Sequence, residues 1–194
     1  IDNNADCTVA TITVPWDEAS RFGILSADEE GRITEFAEKP KVPKSNQASM
    51  GIYIFDAKVL EEALDNEFTD FGKEIIPQTL KKYKVNSYVY DGYWEDIGTI
   101  KSFYDATLDL TSITPKFNFY DEEKPIYTHM RNLPPSKLNF ANMNRSTASE
   151  GCVITEATIT DSVIGVRSII EKNAQLVGVI CMGADYYETN AQKA

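Results

Sequence analysis

The sequence predicts an α/β layer structure followed by a repetitive β tail, on three observations. Short β-branched runs alternate with helix-length segments up to about residue 110, the pattern of a sheet covered by helices. From Thr111 to Pro135 the period is lost, and Pro115, Pro125, Pro134 and Pro135 interrupt any regular element. Beyond it Ile164, Ile170, Leu176 and Met182 recur every six residues, with Ser168 and Ala174 at a small fifth place. Six-residue repetition fits the stacked coils of a parallel β-helix. On period alone, ordinary antiparallel strands fit the same text.

The elements follow in chain order. DCTVATITVP, residues 6–15, is rich in β-branched types and ends on proline, so it reads as a strand. Phe22 to Leu25 and Ile33 to Phe36 flank SADEEGR, whose Asp28, Glu29, Glu30 and Gly31 suit a hairpin turn. SMGIYIF, residues 49–55, has strand length. AKVLEEAL and FGKEIIPQTLKKY each read as one short helix, VNSYVY alternates as a strand, and TIKSFYDATLDL has helical spacing.

Composition bounds the function. A chain of 194 residues with 42% hydrophobic and 25% charged residues can bury a sizeable core. No apolar run reaches the length of a membrane span. Thirty acidic residues against nineteen basic ones, net charge −11, repel phosphate polymers, so nucleic acid is excluded as a general partner. A local basic site for a small anion stays open. Cys7, Cys152 and Cys181 are odd in number and widely spaced, which argues for reduced thiols in the cytoplasm over a disulfide framework or zinc site. The first residues lack the basic and apolar regions of a secretion signal.

Four stretches place polar residues where α/β proteins carry ligand loops: Glu38 and Lys39 before Pro40, Ser49 and Gly51 in SMGIYIF, Asp70 in DFGKEIIP, and Trp94 and Asp96 between the glycines of GYWEDIGT. Each has a plain structural reading as well. Glu38 and Lys39 fit a solvated pair, Asp70 a helix cap, Trp94 a core residue, and Asp96 a turn.

The stretches EASRFGI, EFAEKP, ASMGIYIF, DFGKEIIP, GYWEDIGT, PIYTHMRNLPPSK, EGCVI, SVIGVRS and MGADYYE together resemble the ADP-glucose pyrophosphorylase (glucose-1-phosphate adenylyltransferase) family nearly end to end. EKP alone is shared by many sugar nucleotidyltransferases, whereas ASRFGI, SMGIYIF and GYWEDIGT separate this family from makers of UDP-, dTDP- and GDP-sugars. The linker and tail are closest in form to the plant and cyanobacterial branch. The resemblance implies a Rossmann-like nucleotidyltransferase domain with a mixed sheet, followed by a left-handed parallel β-helix. It divides the chain into a sugar-phosphate half of the catalytic domain at 1–110, a linker at 111–147 and the first coils at 148–194. The family's glycine-rich nucleotide loop and its first metal-binding aspartate lie outside this sequence, so the chain reads as a fragment expected to be inactive alone.

The resemblance also implies roles. Lys39 matches the lysine that binds the phosphate of glucose 1-phosphate, and Glu38 the acid that accepts from glucose hydroxyls. Ser49 and Gly51 match the sugar-contacting edge, with Asp70 and Trp94 as supports behind it. Asp96 matches a carboxylate of the Mg2+ site used with ATP. Family members are homo- or heterotetramers tuned by anionic metabolites, which makes Arg131 a candidate anion ligand, with His129, where relatives often carry glutamine, and Arg167 weaker ones. Location would be cytoplasmic, or plastid in a plant. The rival readings are a hexapeptide-repeat acyltransferase with His129 as base, a non-catalytic binding or assembly module, and another sugar-nucleotide pyrophosphorylase. The first fits poorly, because His129 precedes the repeats.

Overall fold

A computed structural model of the chain describes residues 4–188. The chain forms two compact units, Ile1–Gly92 and Tyr93–Ala194.

In the first unit β1 (Cys7–Thr13), β2 (Gly23–Ala27), β3 (Ile33–Glu38), β4 (Gln47–Phe55) and β5 (Val85–Val89) form one mixed sheet in the order β3-β2-β4-β1-β5. Only β1 and β5 are parallel; the other pairs are antiparallel. The β2–β3 turn closes as its residues dictate. The Asp28 carboxylate accepts from the backbone N–H of Glu30 at 3.1 Å and of Arg32 at 2.8 Å, and Gly31 takes φ +79°. Alternation along β1 sends Cys7, Val9 and Thr11 inward. Cys7 and Val9 join Leu25, Ile33, Val85 and Ile76 in one core, against which Phe36, Tyr53, Phe55 and Leu80 pack. Each such aliphatic side chain contributes roughly 1.5–3 kcal/mol.

Helix α1 (Ala57–Leu64) is capped by Asp56, whose carboxylate accepts from Lys58 N and Val59 N. The expected single helix over FGKEIIPQTLKKY is two elements, a π-helical turn at Phe71–Ile75 and α2 (Ile76–Lys82). Two local causes act together. Asp70 C=O accepts from both Glu74 N at 3.1 Å and Ile75 N at 3.2 Å, which widens the first turn, and Pro77 brings no N–H to the second.

The second unit opens with α3 (Ile100–Asp109), fixed by a capping box between Thr99 and Ser102. No helix or strand intervenes between it and β6 (Lys137–Asn139), as the prolines require. Strands β6 to β14 follow: β7 (Asn142–Asn144), β8 (Thr147–Ala148), β9 (Val153–Thr155), β10 (Thr158–Thr160), β11 (Val163–Ile164), β12 (Ile169–Ile170), β13 (Gln175–Val177) and β14 (Ile180–Cys181). They pair in parallel as three sheets of three strands each. This is a triangular parallel β-helix, which decides between the two readings that the six-residue period left open.

The period is looser than the sequence suggested. Paired residues such as Ile154 and Ile170, or Ile164 and Cys181, are a coil apart, so a coil takes 16 or 17 residues. Cys181, and not Met182, stacks beneath Ile164, while Met182 is 76% exposed. The corners explain the slip. Positive φ recurs at Phe140, Arg145, Gly151, Glu156, Asp161, Arg167, Asn173, Gly178 and Gly183, and each marks a turn after five or six residues. Small polar side chains brace the bends: Ser162 Oγ accepts from Val179 N at 3.0 Å and donates to Thr160 C=O at 2.7 Å. Ile154, Ile159 and Ile164 fill the interior. All three cysteines are free, with Cys7 and Cys152 buried.

At the last described corner two backbones touch. A Cβ on Gly183 would lie 2.6 Å from Val166 O and 2.7 Å from Val166 N, and its φ is +85°. Gly183→Ala is therefore expected to lower the stability of the second unit by about 1–3 kcal/mol, whereas Met182→Ala should stay within about 0.5 kcal/mol. Urea unfolding of the two variants checks this, and equal losses would contradict the backbone contact.

Candidate functional site

The polar residues of the first unit gather where β3 ends. Gly23 and Glu38 are partners in the β2–β3 ladder, so the strand delivers Glu38 beside the start of β2. Lys39 then turns out of the sheet at φ +47°, with its N–H donating to Phe22 C=O at 3.0 Å. An L-residue in that region is uncommon and held by its surroundings. The ammonium of Lys39 lies 3.7 Å from Glu38 Oε1; the lysine side chain is 65% exposed and the glutamate 21%. A largely sheltered carboxylate thus stands next to an exposed cation.

Two further elements reach this place. The β4 ladder carries two extra residues between Ser49 and Tyr53 relative to β1, a bulge built around Gly51 at φ +71°. Ser49 Oγ accepts from Gly51 N at 3.3 Å. From the other side comes the π-helical turn. Asp70 caps it, accepting from Lys73 N at 2.8 Å, and its carboxyl is held below the usual range chiefly by that bond. Phe71 stacks on Tyr53 with ring centres 5.5 Å apart and an interplanar angle of 13°. Gly72 approaches Glu38 so closely that a Cβ there would lie 2.6 Å from Oε2.

Glu38, Lys39, Ser49 and Asp70 all lie in this unit, around the end of β3. Tyr53, Phe71 and Gly72 belong to the same cluster and were missed. Tyr53 lies in an apolar strand run and Phe71 opens a helical segment, so neither carries a local signal of a site.

Trp94 and Asp96 lie in the second unit, in the irregular segment before α3. The Asp96 carboxylate folds over Gly98, where a Cβ would meet its oxygens at 3.2 and 3.3 Å. Among the described residues no three His, Cys, Asp or Glu side chains stand close enough to hold a metal ion. The donor set at Asp96 is one hard oxygen ligand. That suits Mg2+, which is commonly bound through one or two carboxylates while water and phosphate supply the rest. His129 and Arg131 are exposed on the irregular segment before β6. Arg167 is a corner residue whose guanidinium donates to Ala184 C=O at 3.2 Å, so part of its donor capacity is spent on the coil.

A family model described as "Nucleotidyl transferase" matches residues 1–113. The chain belongs to the nucleotidyl transferase family. Residues 131–194 match a second model, "GLGC left-handed parallel beta-helix domain", which supplies the hand of the coils. The chain is also similar to a protein of Triticum aestivum named glucose-1-phosphate adenylyltransferase small subunit, chloroplastic/amyloplastic. The two are 44% identical over 218 residues, which covers 99% of this chain and 46% of the wheat protein. The chain thus spans about half the length of that relative. The residues of this nucleotidyl transferase gathered around Glu38 all fall inside the first matched region.

Tyr53 offers a pH test of the cluster. Its phenol is pushed above the ordinary value, first by burial and then by the charges of Glu38 and Asp70, against the lowering effect of Ser49. The neutral phenol stabilises the fold up to a pH of about 10, and that contribution is lost as pH rises through the raised folded value. Tyr53→Phe should therefore lose less stability than the unsubstituted chain between neutral and alkaline pH. Equal losses in chemical unfolding at the two pH values would remove Tyr53 from the buried cluster.

Proposed function

We propose that this chain is the sugar-phosphate-binding part of a glucose-1-phosphate adenylyltransferase, which joins ATP and glucose 1-phosphate to give ADP-glucose and pyrophosphate for starch or glycogen synthesis. The observation that carries the reading is the pairing of an exposed lysine with a sheltered carboxylate at the end of β3, inside a nucleotidyl transferase match and in a chain 44% identical to a protein of that name. A sugar phosphate presents one anion and several hydroxyls, which is the complement of this pair.

In the reaction a phosphate oxygen of glucose 1-phosphate attacks the α-phosphorus of ATP in line, and pyrophosphate leaves. Catalysis of this kind is positioning and charge stabilisation, and no protein nucleophile is needed. Lys39 holds the sugar phosphate as a point charge on a flexible stem. Glu38 accepts hydrogen bonds from glucose hydroxyls, and the Ser49 and Tyr53 hydroxyls add polar contacts along the bulged strand. Asp70 keeps the π-helical turn in place, so that Phe71 backs Tyr53. Gly51 leaves the strand edge open, since nothing lies within 4 Å of where its Cβ would be. Asp96 would hold Mg2+, with Trp94 as support; the ion, when bound, neutralises charge on the phosphate oxygens.

The same reading extends to assembly and control. It includes a homo- or heterotetramer, an anionic metabolite effector near His129 and Arg131 with Arg167 as a lesser contact, and a plastid location, which the name of the wheat protein carries.

Two outcomes test the proposal. In the full-length enzyme Lys39→Ala should weaken glucose 1-phosphate binding by about ten- to a hundred-fold, the value of one charge-assisted contact, with ATP binding nearly unchanged. Calorimetric titration with each ligand separates the two, and a loss confined to ATP would take Lys39 out of this role. In the full-length enzyme Asp96→Asn should collapse turnover by orders of magnitude at ordinary Mg2+ with little change in melting temperature, since the amide keeps the shape but loses the charge. Near-normal turnover would show that Asp96 does not hold the ion.

A further inference from the structure

Glu38 owes its position to two absences. Its Oε2 occupies the space of two missing Cβ atoms: one on Gly72 would lie 2.6 Å from it, and one on Gly23 would lie 2.8 Å from it. Real Cβ contacts are essentially never that short. The two glycines come from different elements, β2 and the π-helical turn, and close on the same oxygen.

Neither glycine is needed for the backbone. Positive φ among the glycines is confined to Gly31, Gly51, Gly151, Gly178 and Gly183, so Gly23 and Gly72 adopt conformations open to any L-residue. Gly23 opens a strand and Gly72 is the second residue of a helical turn, and glycine has the lower propensity for both structures. At Gly72 the three atoms nearest to a Cβ are all side-chain atoms, Oε2 and Cδ of Glu38 at 2.6 and 3.2 Å and Asp70 Oδ1 at 3.5 Å. Local stability is therefore given up for side-chain space, and the side chain served is Glu38. Gly23 has a second neighbour, the Phe36 ring at 2.8 Å, so its space is shared with the core.

We infer that Gly72, with Gly23, is a positioning residue that seats the Glu38 carboxylate, and through it sets the contact between that acid and a sugar hydroxyl. This rests on the sugar-phosphate reading above. The geometry makes a distinctive demand. An alanine at position 72 collides with the far end of a flexible side chain, not with backbone, so the fold is kept while the carboxylate is turned away. A residue that mattered only to folding would show the opposite, a loss of stability with ligand binding intact in the folded fraction.

The test is Gly72→Ala in the full 194-residue chain, alone and combined with Glu38→Ala. The expected result is a melting temperature unchanged or raised, a Glu38 carboxylate displaced in the crystal structure, and glucose 1-phosphate binding weaker by about ten-fold, the value of one hydrogen bond to a charged group. In the Glu38→Ala background the second substitution should add no further loss, because its effect runs through Glu38. Should Gly72→Ala lower the melting temperature, Glu38→Ala must restore it. An unmoved carboxylate, unchanged binding by Gly72→Ala, or losses that multiply in the double variant would overturn the inference. Failure of the unsubstituted chain to bind glucose 1-phosphate would overturn the sugar reading instead, and the carboxylate displacement and the melting-temperature recovery would still judge the seat.

Discussion

The β2–β3 ladder ends on the pair Gly23 and Glu38, and the rest of the candidate site depends on that register. A shift by one residue would exchange the faces of the strand, moving the Glu38 carboxylate off the glycines and Ile33 out of the core. The next residue, Lys39, cannot continue the ladder, because its φ is positive and its N–H is tied to Phe22 C=O. One strand end therefore fixes an acid and aims a cation. The core beneath it, Leu25 and Ile33 against Ile76 and Val85, supplies the stiffness, and the π-helical turn closes the cluster from the far side.

The second unit is governed by a different local constraint. Its corners are left-handed residues, and only Gly151, Gly178 and Gly183 of the nine are glycine. Phe140, Arg145, Glu156, Asp161, Arg167 and Asn173 accept an unfavourable conformation at the other six bends, each costing of order 1 kcal/mol or more. Stacking compensates, since each coil adds an aliphatic layer and a set of parallel hydrogen bonds. Side chains at the corners also pair from coil to coil: Arg145 meets Asp161 at 2.7 Å and Lys172 meets Glu156 at 3.0 Å. Such exposed pairs contribute little singly, and the layers of Ile154, Ile159 and Ile164 carry the unit.

Much of this was legible in the sequence where a residue acts on its own backbone. Asp28 and Gly31 announced the hairpin, the prolines between residues 111 and 135 announced the irregular segment, and β-branched runs marked the strands to within about two residues. Longer-range facts were hidden. The hexad count misplaced Met182 because corner spacing is a mixture of five and six, which depends on φ and not on hydrophobicity. The single helix expected at FGKEIIPQTLKKY split because an i+5 bond to Asp70 precedes Pro77. Lys39 and Glu38 were visible as a charged pair at a strand end, but their meaning lay in the family resemblance. Tyr53, Phe71 and the seat at Gly72 required the fold, since no text shows that two distant glycines leave room for one carboxylate.

The central claim is that the end of β3 recognises a sugar phosphate. Its most direct measurement is a crystal structure of the chain soaked with glucose 1-phosphate. The account predicts the phosphate within hydrogen-bond reach of Lys39 Nζ and glucose hydroxyls on the Glu38 carboxylate, with the sugar along the bulged edge at Ser49 and Gly51. Phosphate bound instead at Arg131 or on the coils, with the β3 end empty, would contradict it.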